Sequence, residues 1–224
     1  MARLYLFIIC IALCLLMGLN SFLATAVFNT TAWELVCAIF ISFILVVFID
    51  SFFALLVGIL PKNWFGVNNK LLSVSKKEQK FYEKLRIRKW KDYVWDLGCL
   101  GGFSKQEIKD PKDPKYFEKF IIESNRGVTE HTLGIIFSFS IIFLYPSYAW
   151  SVGLPIAMVN LLLNTMSTMV LRYNLPKLKT SYNFLLKKQI ERENQNKTTL
   201  STNQTETSKI EDSNTNNEEK QSAN

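Results

Sequence analysis

Long uncharged apolar runs alternate along this chain with strongly polar stretches, and that alternation predicts the architecture. The first run follows Arg3 through LYLFIICIALCLLMGL within Met1–Phe28, and the second covers Trp33–Leu60. The third begins at Leu133 and leads into the aromatic turn LYPSYAW, and the fourth covers Val152–Leu171. About 20 apolar residues suffice for a helix to cross a bilayer. The first run also fits a signal peptide, because Ala24-Thr25-Ala26 matches a small-x-small cleavage site. An uncleaved anchor is the preferred reading, and the downstream topology is the same either way.

Two of the expected spans carry polar residues at depth. Asp50, in FIDSFF, lies ten residues before the second span ends near Leu60, roughly 15 Å from the membrane edge at about 1.5 Å per residue. An ionisable group at that depth points to function or to a polar partner; the plain alternative is a shorter span. In the fourth span, Asn160, Asn164 and Ser167 recur at i, i+4 and i+7 and so share one face. Measured back from Arg172, Asn164 lies at roughly 12 Å and Asn160 at roughly 18 Å. These depths bracket Asp50, which is therefore expected to meet the asparagine face. Such a stripe serves helix packing in lipid or lines a polar pocket.

Between the second and third spans, residues 61–130 hold sixteen Lys or Arg against ten Asp or Glu. Nine further basic residues follow from Arg172 onward, whereas 29–32 and 145–151 have none. The positive-inside rule then places both termini and this loop on the cytoplasmic side. Within the loop, KKEQKFYEKLRIRKWKDYVWD is expected to be partly helical from a cap near Ser75, although LRIRKW alternates like a strand. Basic residues interleaved with Trp90, Tyr93 and Trp95 suit a headgroup-level segment or a solvated charged helix. LGCLGGF breaks regular structure. From Glu193 the chain is almost free of apolar residues and is expected to be disordered.

The fold class is therefore all-α: a polytopic membrane protein with about four transmembrane helices, a partly helical cytoplasmic loop and a disordered C-terminal tail. Residues 1–60 hold two spans, 61–132 a basic cytoplasmic or interfacial loop, 133–176 a transmembrane hairpin, 177–192 a cytoplasmic amphipathic segment and 193–224 the tail.

The formal charge of +7 raises nucleic acid as a partner, but the cations border apolar spans, which points to anionic headgroups and topology instead. Four cysteines, Cys10, Cys14, Cys37 and Cys99, form no CxxC pair, so neither a zinc site nor a disulfide framework is expected. No Walker loop, GxGxxG, GxSxG or HExxH is present. Acid–base chemistry at neutral pH falls to His131, the only histidine, whose ordinary pKa lies nearest that range. A base beside Glu130 or Glu123 and facing Arg172 is chemically reasonable. A lone histidine at a helix start can equally be an interfacial residue.

Three stretches occur in order: RIRKWKD at Arg86–Asp92, IIESNR at Ile121–Arg126 with His131 five residues beyond, and LRYNLPKL at Leu171–Leu178. Together with LPKNWF from Leu60, they resemble the glycosyl-4,4'-diaponeurosporenoate acyltransferase family of bacterial carotenoid biosynthesis. The resemblance covers about Pro61–Leu178. It implies a small plasma-membrane enzyme that attaches a fatty acyl chain to a sugar hydroxyl of a glycosylated C30 carotenoid. Matched positions are Arg88, Lys89, Trp90, Lys91, Glu123, Arg126, His131, Arg172, Tyr173, Asn174 and Pro176. Val128 and Leu175 depart from the pattern, standing where a glutamate and a basic residue are expected.

On this resemblance His131 is the general base, oriented by Glu123 or Glu130, with Arg172 and Asn174 steadying the oxyanion. Arg86, Arg88, Lys89 and Lys91 would hold the donor's phosphates, with Trp90, Arg126 and Tyr173 contributing to binding. Asp50, Asn160 and Asn164 would line the groove for the lipid. The implied donor is acyl-CoA or an acyl-carrier protein as co-substrate, and no cofactor or metal is expected. The acceptor is a glycolipid or glycocarotenoid. The competing reading is a non-catalytic membrane protein that binds anionic lipid or a protein partner.

Overall fold

A computed structural model of the chain describes residues 2–23, 26–27, 31–94, 108, 110–144 and 146–221. Part of the Ala24-Thr25-Ala26 motif, Trp95, Cys99, the glycine-rich break at 97–103 and Tyr145 lie outside the described residues. Among the described residues there are helices and no strands. The helices are α1 (Ala2–Leu23), α2 (Ala32–Ile59), α3 (Lys76–Lys84), α4 (Ile87–Trp90), α5 (Pro114–Ser138) and α6 (Leu154–Gln221).

Each boundary has a local cause. Thr31 caps α2 by accepting from the Glu34 amide, and Pro61 follows its end. Ser75 caps α3 by accepting from the Glu78 amide at 3.2 Å, as the sequence predicts. Asp113 caps α5 through the Lys115 amide at 2.9 Å, with Pro114 at the first helical position, where its missing N–H costs nothing.

The helices assemble as an up-and-down bundle in which α5 and α6 form the most extensive pairing and α2 packs on α5. At one end a core of Leu16, Leu35, Ile39, Val46, Ile141 and Ile156 closes over the turns. At the other, Phe117, Phe120, Ile121, Leu175 and Leu178 make a second core. These pairings make α5 and α6 an antiparallel hairpin, as expected. Near its turn Gly153 is required: a Cβ there would sit 3.0 Å from the Ile142 Cα. Val128 and Leu175 are both buried, so at the two departures from the family pattern this chain places apolar residues in the core.

Two helices among the described residues are long and apolar enough to cross a membrane, Ala32–Ile59 and Pro146–Gln195, while Phe7–Asn20 forms a shorter apolar helix. The four expected spans are thus reduced to two candidates. The third is short because α5 carries Glu130 and His131 within it and gives way at Ser138 to a 3-10 turn, Phe139–Phe143. α2 is apolar on every side, yet exposes Ile44, Phe48, Leu55 and Ile59, a surface suited to lipid contact.

Other expectations are corrected. α5 runs through residue 132, where the loop and the hairpin are expected to meet. α6 continues through Pro176, with Leu175 and Leu178 packed on α5 on either side of the proline. The helix also extends to Gln221 where disorder is expected of 193–224. That segment has few apolar residues, Leu200, Ile210 and Ala223, but it also has no Gly or Pro to stop a helix. LRIRKW is not a strand. Its alternation breaks at Arg86, which adopts φ 53°, and Ile87 is fully buried.

Candidate functional site

Midway along the bundle, α2, α5 and α6 each bring polar groups to one place. Asn160 and Asn164, one turn apart on α6, both face Asp50 of α2. The Asn164 amide donates to Asp50 Oδ2 at 3.1 Å and the Asn160 amide to Asp50 Oδ1 at 3.4 Å. Asp50 thus meets the asparagine face, as depth counting along the two helices predicts. Asn164 also donates to Asn160 Oδ1 at 2.9 Å and to the Asn160 carbonyl at 3.2 Å. On its other side, Asn164 Oδ1 lies 2.7 Å from His131 Nδ1. Asp50, Asn164 and His131 therefore form one hydrogen-bonded chain through three helices.

Gly134 makes this approach possible. It sits one turn beyond His131 on α5 and is buried, and a Cβ at that position would collide with the Asp50 carboxylate. His131 is expected beside Glu130 or Glu123, and its Nδ1 is held by an asparagine from α6. Glu123 instead binds Arg126 at 3.2 Å.

Arg126 belongs to a separate staple. Its Nη2 donates to the Leu60 carbonyl at 2.9 Å, and the neighbouring Asn125 donates to the Phe65 carbonyl at 2.8 Å. The guanidinium also lies 5.6 Å from the centre of the Phe65 ring. These contacts fix the LPKNWF turn against α5, so Arg126 has a structural duty in addition to any binding role.

Arg172 stands about two turns along α6 from Asn164 and turns to α3. Its Nε and Nη2 grip Glu78 at 2.5 and 2.8 Å, and Nη2 also reaches the Ser73 carbonyl at 3.3 Å. Tyr82 donates to the same carboxylate at 2.5 Å. The hydrogen bond from Arg172 holds the Glu78 carboxyl below the ordinary glutamate range, with lesser help from Tyr82. Burial, then the bond to Glu78, pushes the Tyr82 phenol up to about 12. Arg172, expected at the oxyanion, is therefore drawn to Glu78, a partner the sequence did not disclose. Tyr173 lies beneath the Lys177 ammonium, 4.0 Å from its ring centre, and Asn174 is half-buried.

In the connecting segment Arg86, Arg88 and Lys89 are exposed, Lys91 is half-buried and Ile87 anchors the turn. Lys91 lies 3.8 Å from Asp92, and the Trp90 indole donates to the Leu85 carbonyl at 3.2 Å. The left-handed Arg86 separates α3 from α4, a conformation costing about 1–2 kcal/mol for a residue with a Cβ.

Residues 61–184, more than half of the chain, match the model of the glycosyl-4,4'-diaponeurosporenoate acyltransferase family. The chain belongs to that family. It is accordingly an acyltransferase, and the family assigns it to carotenoid biosynthesis. No curated protein and no solved structure matches it. The matched region of this family member contains Glu78, His131, Gly134, Asn160, Asn164 and Arg172, whereas Asp50 lies before it.

Proposed function

We propose that the chain transfers a fatty acyl group from a thioester donor to a sugar hydroxyl of a glycosylated C30 carotenoid, with His131 as general base. The observation that carries this reading is the hydrogen bond from His131 Nδ1 to Asn164, itself held by Asp50. A histidine anchored through one ring nitrogen can take a proton at the other. His131 takes the proton of the acceptor hydroxyl as its oxygen attacks the thioester carbonyl. The tetrahedral intermediate expels the donor thiolate, and the imidazolium returns the proton to that sulfur. One ester forms, one thioester breaks, and the base is regenerated.

The donor is acyl-CoA or an acyl-carrier protein, whose phosphates fit the cations Arg86, Arg88, Lys89 and Lys91. Arg172 acts by holding α3 to α6, with Tyr173 and Asn174 following it on α6. The basic segment and both termini face the cytoplasm by the positive-inside rule, which puts the reaction at the inner membrane face. The exposed apolar face of α2 suits the acyl and polyene chains.

The test is lipid analysis of cells lacking the protein, complemented with the wild-type chain or with His131→Ala. The expected result is loss of the acylated glycocarotenoid and accumulation of the free glycoside in both deficient strains, with the variant present in membranes at normal level. Undiminished acylation by His131→Ala overturns the assignment.

A further inference from the structure

The orientation of the Asn164 amide carries a consequence for the proton on His131. Its nitrogen sits among three oxygens: Asp50 Oδ2 at 3.1 Å, Asn160 Oδ1 at 2.9 Å and the Asn160 carbonyl at 3.2 Å. Turning the amide over would set its oxygen against all three. Asn160 is oriented in the same way, since its own amide nitrogen donates to Asp50 Oδ1. The Asn164 oxygen is therefore the atom presented to His131, and an amide oxygen can only accept. His131 Nδ1, 2.7 Å away, must be the donor.

We infer that Asp50, Asn160 and Asn164 form a tautomer lock that keeps neutral His131 protonated on Nδ1, making Nε2 the basic nitrogen of the ring. Free imidazole side chains favour the opposite tautomer, so the lock has something to do. Asp50 and Asn164 are positioning residues: they act through His131 and need not touch substrate. Gly134 belongs to the same device, because only a residue without Cβ lets the Asp50 carboxylate reach the asparagines across α5. The role extends the reading of His131 as the base and rests on it.

The chain has a single histidine, so selective labelling with 15N-histidine reports one ring without assignment. The full chain, carrying an affinity tag free of histidine, is placed in lipid nanodiscs. The 15N shifts of the neutral ring then give the tautomer, and acyl transfer is followed on the same samples. The wild-type ring is expected to be protonated mainly on Nδ1. Asn164→Leu, which removes the acceptor at similar volume, should move it toward the Nε2–H form and lower kcat by about tenfold or more with little change in KM. Asp50→Asn preserves shape and keeps the fold testable should Asn164→Leu fail to assemble. It should shift the tautomer in the same direction by a smaller amount, because one of its two acceptors becomes a donor.

A wild-type ring protonated mainly on Nε2, or a tautomer unmoved by both variants, overturns the lock. If His131→Ala still abolishes transfer in that case, His131 remains the base without it. If the tautomer moves as expected while acyl transfer is unaffected, the lock stands and the base assignment falls.

Discussion

Asn164 and Arg172 stand about two turns apart on α6, and each ties that helix to a different neighbour with hydrogen bonds to a carboxylate. The Arg172 cluster is balanced: a cation grips Glu78, a phenol donates to it, and both partners of the ion pair keep some contact with water. The Asn164 cluster is not balanced in this way. Asp50 receives neutral amide donors, and none of the ion pairs among the described residues involves it. A carboxylate satisfied by a cation is a fastener. One held by neutral amides and connected to an imidazole can bias a proton. On the proposed reading, that contrast separates the chemistry on α6 from the architecture on α6.

The sharpest way to break the contrast is Gly134→Ala. The new methyl group collides with the Asp50 carboxylate and displaces the chain that holds His131. Misplacement of a catalytic group by about 1 Å costs on the order of 100-fold in rate, and a loss of that size is expected in a nanodisc acyl-transfer assay. Adding Asp50→Gly to this variant removes the collision. Thermal stability should then recover while acyl transfer does not. Recovery of both would mean that Asp50 only fills space.

A smaller effect is expected at the other cluster. Glu78→Ala or Arg172→Ala leaves one partly buried partner unpaired and should cost about 1–3 kcal/mol in stability. The double variant should cost less than the two singles together, because the residues share one interaction. Acyl transfer at saturating donor is expected to fall by much less than in Gly134→Ala. Loss of turnover as severe as in that variant would put Arg172 back among the reacting groups.

Much of this arrangement is legible in the sequence. Counting residues from the membrane edge placed Asp50 level with Asn160 and Asn164, because a helix rises by the same amount per residue wherever it lies. His131 stood out as the only histidine. The asparagine that holds Nδ1 is not legible in the sequence, because it comes from another helix 33 residues away. The clasp was hidden for a related reason: Glu78 and Arg172 are 94 residues apart, and a glutamate in a charged helix looks like any solvated one. Gly134 carried no signal either, since its role depends on a carboxylate from another helix. Pro176 stands inside α6. It lacks the N–H that would bond the Arg172 carbonyl, but packing of Leu175 and Leu178 against α5 keeps the helix going.

The pH dependence of the clasp sharpens the comparison further. The Glu78 carboxyl lies below its ordinary range in the folded protein, so its contribution is fully present above the unfolded value of about 4.3. It is lost as pH falls through the lower folded value. The stability difference between wild type and Glu78→Gln should therefore be constant from pH 8 down to about 5 and shrink on further acidification. Thermal unfolding across that range measures it. A difference that changes instead between pH 6 and 8 would mean that a group other than Glu78 controls the contact.

The least disruptive probe is Tyr82→Phe, which deletes one donor to Glu78 and keeps the ring in place. Tyr82 is buried, and its hydroxyl bonds a carboxylate that retains both contacts to Arg172. The net loss should be about 0.5–1.5 kcal/mol, below that of either ion-pair variant. The sign at alkaline pH is also set. A phenol raised to about 12 favours the folded state fully below the unfolded value of about 10 and loses that advantage as pH rises through 12. Wild type should therefore lose stability relative to Tyr82→Phe above about pH 10, with no change near neutrality. Acyl transfer at pH 7 should be unaltered, because this donor serves the balanced carboxylate and not the one that governs His131.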